Sequence, residues 1–85
     1  MSLSMLLSEL PRDVVATIVS VDGVAADPIA QRLHELGFVV GEQVRCTAVA
    51  PFGADPMLVQ VGYTRFALRR SEAQRVQVQF NEISR

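Results

Sequence analysis

The side chains of this 85-residue chain that could do chemistry are few. There is one histidine, His34, and one cysteine, Cys46. Together they offer a single soft-ligand or nucleophile–base pair. All eight basic residues are arginine. That removes Schiff-base chemistry, a lysine general base and the phosphate-cradling lysine of nucleotide-binding loops at one stroke. His34 has Ala30 and Phe38 as its i±4 neighbours, which cannot complete a chelate. A useful metal site needs three or four converging ligands. His34 is therefore expected on the helix surface, where the dipole favours an imidazolium near the C-terminus. It is the one surface ligand on offer for a weak or adventitious divalent metal, and no cofactor is required. Cys46 shares a strand face with Val44 and Ala48, which predicts a buried, inert thiol. With no nucleophile–base arrangement in view, the chain reads as a non-enzyme.

Net charge is −1, which argues against duplex nucleic acid as the main ligand. Arg65, Arg69, Arg70 and Arg75 nevertheless gather late in the chain. They read as a solvated face paired with Glu72 and Asp55, as a contact for an acidic partner, or as the groove of a small RNA-binding barrel. The lone cysteine fits a reducing cytoplasm. Residues 1–10 lack the basic n-region of a secretory signal, and no apolar window approaches a membrane span.

These residues need elements to hold them. Thirteen valines point to β-structure. Leu3, Leu6, Leu7 and Leu10 read as a lead-in to a turn at Pro11-Arg12-Asp13, and the apolar start, Met1 to Leu7, is expected to pack on the domain or join two copies in a homodimer. Residues 14–21 suit a first strand, and Asp22-Gly23 a turn. Asp27-Pro28 opens a helix with an N-cap carboxylate and proline at the first position. Ile29, Leu33 and Leu36 form its apolar face, and Gly37 ends it. Gly41 marks a second tight turn. Residues 43–50 and 57–63 alternate as strands around a proline-bracketed loop that carries Phe52. Thr64-Arg65 is expected to turn the chain into 66–68, and Ser71 to cap a single helical turn. Residues 75–80 carry the cleanest period of two, and 81–85 read as a frayed tail. The fold expected is mainly β, a small SH3-like barrel of about five strands. One short helix between the first two strands caps it, and the whole forms one domain over residues 1–80. Without tryptophan and with one tyrosine, such a barrel lacks the aromatic groove that grips polyproline.

Leu33, Leu36, Gly37, Phe38, Gly41 and Val44 are followed by Pro51, Val59, Val61 and Gly62. Ala67-Leu68-Arg69, Glu72-Ala73, Val76 and Val78 complete the series. This succession resembles the FeoA family, the small cytosolic accessory proteins of bacterial ferrous-iron uptake, over about residues 7–78. It is also similar to the SH3-like domain at the C-terminus of iron-dependent repressors. Pro11-Arg12-Asp13 stands where the family often has proline-glycine or lysine-glycine, and loop 52–56 has one glycine where relatives often have two. The resemblance implies a non-enzymatic domain that binds FeoB, the membrane iron transporter with a cytosolic GTPase region. Contact with the membrane is then expected through that partner only. Leu36, Phe38, Val40 and Phe52 are the expected contact corner. Arg69 and Arg70 would meet an acidic surface of FeoB or enter its nucleotide site in trans. A repressor-type regulatory module is the alternative, although 85 residues show no helix-turn-helix.

Overall fold

The β-branched runs do form strands, and the sheet they build holds one apolar core. The structure is a computed structural model that describes residues 2–22, 27–49 and 55–81. Six strands occur in it: β1 (Ser2–Leu6), β2 (Val15–Val21), β3 (Gln43–Val49), β4 (Met57–Val61), β5 (Thr64–Leu68) and β6 (Val76–Asn81). Helix α1 (Pro28–Glu35) lies between β2 and β3, and a one-turn helix, α2 (Arg70–Ala73), precedes β6. The strands make one antiparallel sheet in the order β1-β6-β2-β3-β4-β5. The fold is mainly β with one short helix at the expected place.

Alternation decides which face is inside. Val44 and Cys46 on β3, Met57, Val59 and Val61 on β4, and Val76 and Val78 on β6 are all buried. Their odd-spaced neighbours turn outward, as the two-residue period of a strand requires. Register breaks at Ile18–Ser20 and Cys46–Ala48 add the local twist that curls the sheet around this core. Among the described residues β1 and β5 do not pair with each other, so the sheet curls without closing into a barrel.

Four local expectations are corrected. The apolar start is a strand: β1 pairs with β6 from Ser2↔Asn81 to Leu6↔Gln77. A 3-10 turn (Leu7–Glu9) follows, and Leu7 and Leu10 enter the core. Asn81 thus ends β6, while residues 82–85 lie outside the described ones. The chain reverses at Gly62-Tyr63, so Thr64 and Arg65 are already strand. α2 begins at Arg70, with Arg69 as its cap residue. The Arg69 N–H donates to Glu72 Oε1 at 3.0 Å, which satisfies an orphan donor of the first turn.

α1 starts and stops as its sequence dictates. Asp27 Oδ1 accepts from the Ile29 N–H at 2.9 Å, with Pro28 in the first turn. At the other end the Gly37 N–H reaches His34 O (3.1 Å) and the Phe38 N–H reaches Leu33 O (3.0 Å). That is a Schellman cap, and it needs the left-handed backbone that Gly37 adopts at φ +105°. Leu33 is fully buried, with Ile29 and Leu36 packed beside it. Two ion pairs strap the helix down: Asp27 to Arg75 and Arg32 to Glu72.

Candidate interaction surface

The corner after α1 is built by two consecutive turns. In the second, the Glu42 N–H closes on Val39 O at 3.1 Å, and Gly41 holds the positive φ that its third position requires. The Gly41 N–H also donates to Ile18 O at 2.9 Å, pinning the turn to β2. Val40 is thereby held out at the tip, 70% exposed. Leu36 lies half-buried against the core.

Phe38 corrects the expectation of a contact residue. It is fully buried and meets Phe66 edge-on, with ring centroids 5.2 Å apart and planes at 79°. The Schellman cap turns the residue after glycine inward against Leu33, a hydrophobic contact that commonly accompanies this motif. Phe52 falls outside the described residues.

An open groove of about 440 Å³ runs beside this corner, lined by Val15, Gly41, Gln43, Arg45, Gln60 and Gly62 among others. Val15 is half-exposed there. Sequence reasoning passed over both Arg45 and Gln60. Their strand positions were legible, but their pairing across β3 and β4 needs the register. Gln60 Oε1 accepts from Arg45 Nη2 (3.2 Å) and from Arg65 Nε on β5 (3.3 Å).

The four late arginines do not form one cationic face. Arg65 sits on Gln60. Arg70 turns back to Ser8 O at 2.6 Å, while its N–H donates to Asp55 Oδ1 at 3.0 Å. Arg75 holds Asp27. Arg69 is exposed and lines a second cleft with Arg32, Asp55, Pro56, Ala67 and Glu72. Glu72 pairs with Arg32 rather than with the late arginines' side chains. Distribution over separate elements takes away the shared groove on which the RNA reading depended.

His34 is exposed in the last turn of α1. Among the described residues no three His, Cys, Asp or Glu side chains converge on a point that could hold a metal ion. Cys46 is buried, its Sγ lies 3.5 Å from Ala48 O, and burial pushes its thiol above the ordinary value. Among the described residues no helix is long and apolar enough to cross a membrane.

A short helix set into one curled antiparallel sheet, with its exposed groups on turns and strand faces, defines a small SH3-like domain. The FeoA domain matches residues 5–80, and the chain belongs to the FeoA family, which is associated with ferrous iron transport. The crystal structure of Stenotrophomonas maltophilia FeoA, complexed with zinc and described as a prokaryotic SH3 domain protein, is similar to it. That protein is 58% identical, the match covers 89% of this chain and 95% of the other, and the TM-score is 0.78. The solution structure of FeoA from Chlorobium tepidum is 37% identical over 87% of this chain and 68% of that one, with a TM-score of 0.73. At 19% identity, 92% of this chain matches 34% of T. acidophilum IdeR with a TM-score of 0.76, a likeness of fold alone. No curated protein sequence matches the chain.

Proposed function

We propose that this protein is a non-catalytic, cytoplasmic accessory factor of ferrous iron uptake, and that it acts by binding the cytosolic G-protein region of the membrane transporter FeoB. The observation that carries the reading is the family match over residues 5–80, with a 58%-identical relative that is itself a FeoA. Its surface supports the same reading. Val40 at the tip of a rigid turn and Val15 at the groove beside it are apolar groups held in water by the backbone. Isolated apolar residues need no explanation, but one lining a groove and another next in the chain to its Gly41 suit a contact with another protein.

In this reading the partner surface comprises Val40, Leu36 and the groove, with Arg69 at the second cleft. The protein's contribution is then contact with the transporter rather than metal transfer. The test is retention of FeoB's cytosolic region on the immobilised protein, together with its GTP hydrolysis rate with and without the protein. Retention that weakens in Val40→Asp is expected. No retention by the native protein would overturn the reading, and a changed hydrolysis rate would mark regulation rather than scaffolding.

A further inference from the structure

We infer that the free edge of β5 is a docking site for an extended acidic segment of a partner protein, which adds to the sheet as a further strand with carboxylates facing Arg65 and Arg69. The inference rests on the reading of the chain as a protein-binding accessory factor and names where one partner segment lies.

Among the described residues β5 is the last strand of the sheet and pairs on one side only. It joins β4 through the two-residue turn Gly62-Tyr63, with Val61↔Thr64 as the closing pair. In such a hairpin the closing pair exchanges hydrogen bonds, and every second pair after it does too. Thr64, Phe66 and Leu68 therefore spend their backbone groups on β4. Arg65 and Ala67 point their N–H and C=O groups away from it, and among the described residues nothing accepts or donates there. An unpaired edge of this kind is a ready template for strand addition.

The side chains say which strand fits. Phe66 and Leu68 turn inward, whereas Arg65, Ala67 and Arg69 are all exposed. The backbone is still extended at Arg69, φ −71° and ψ 149°. Arg65 and Arg69 thus flank a small residue on one face, their Cα atoms about 13 Å apart at the rise of a β-strand. Neither has a carboxylate partner among the described residues. Arg65 is oriented by Gln60, which takes only its Nε and leaves the two terminal nitrogens for a ligand. Opposite charges placed directly across a strand pair attract, and like charges repel. A second copy pairing antiparallel through β5 would gather four arginines on one face of the joint sheet, where like charges repel, so the fitting occupant is a different chain. It carries acidic residues four positions apart with a small or apolar residue between them, over Ala67.

The test uses the full chain and a capped, threonine-rich peptide carrying two glutamates four positions apart, alongside its glutamine counterpart. Amide exchange and chemical shifts report the site. The glutamate peptide is expected to slow exchange at Arg65 and Ala67 and to bind at least about tenfold more tightly than the glutamine peptide. Ala67→Pro removes an outward N–H without touching the β4 ladder and is expected to abolish binding. Arg65→Glu keeps the backbone and is expected to weaken binding at least about tenfold. Unfolding midpoints confirm that both variants are folded. Equal binding of the two peptides, no binding, or protection confined to other strands overturns the proposal. FeoB is absent from this experiment, so its failure leaves the proposed partner untouched. Conversely, peptide binding would stand if FeoB were not retained.

Discussion

Arg75, in the turn before β6, donates to the carboxylate of Asp27, the residue that caps α1. The pair joins two ends of the fold that the sequence separates by 48 positions. Its hydrogen bond, ahead of that from the Ile29 N–H, holds the Asp27 carboxyl below its ordinary value of 3.8. A depressed folded-state value stabilises the protein above the unfolded value, and that contribution is lost as pH falls through the folded one. Asp27→Asn keeps a capping side chain but not the charge. The variant should melt below the native protein at neutral pH, and the gap should narrow below pH about 4. Thermal melts across that range measure it, and a gap that never narrows would remove the ion pair from the account.

Gly37 should be costly to replace for a reason of backbone alone. A Cβ there would meet Val61 Cγ1 at 3.7 Å, an ordinary contact, but φ is +105°. Gly37→Ala should therefore cost about 1–2 kcal/mol in urea unfolding, the scale of a left-handed L-residue. Gly41→Ala, with φ +96° and nothing within 4 Å, should cost about the same. A much larger loss at Gly37 would point to packing instead.

Helix α1 was legible because its signals are local: Asp27, Pro28 and Gly37 each act within a turn of where they stand. β6 was legible for the same reason, through the strict alternation of Val76, Val78 and Phe80. β1 was not. Ser2 to Met5 does alternate, yet two apolar positions running into Leu6-Leu7 do not separate a strand from a lead-in. Its partner lies at the far end of the chain, and nothing local announces that. The same limit applies to the candidate surface. Composition exposed the late arginines, but only register shows Arg45 and Arg65 meeting on Gln60.

The N-terminal segment is expected to be structural in proportion to what it buries. Leu7 is fully buried beside β6. Leu7→Ala should destabilise the protein by about 2–5 kcal/mol, the usual cost of emptying a leucine site in a core. Denaturant unfolding measures it. A loss below about 1 kcal/mol would mean that the segment is a dispensable lead-in after all.

Cys46 should be silent toward thiol reagents while the protein is folded. Its sulfur is buried, and burial raises its pKa, so both access and thiolate are scarce. Titration with a thiol-reactive chromophore should show negligible reaction in native buffer and one equivalent in denaturant. Rapid labelling of the native protein would show that β3 opens locally.

Phe38 and Val40 separate stability from binding, although only one residue lies between them. Phe38 is buried against Phe66, and Phe38→Ala should cost about 3–5 kcal/mol. That is a large share of the roughly 5–15 kcal/mol that holds a small domain together. Loss of FeoB retention in this variant would therefore report unfolding. Val40 stands 70% exposed at the tip of its turn, so Val40→Asp should shift stability by no more than about 0.5 kcal/mol. Its effect on retention should come from the surface alone: a carboxylate placed in an apolar contact loses its hydration without a partner. Retention and unfolding measured on both variants give the decision. If Val40→Asp is folded and retains FeoB as the native protein does, the contact lies elsewhere on the domain.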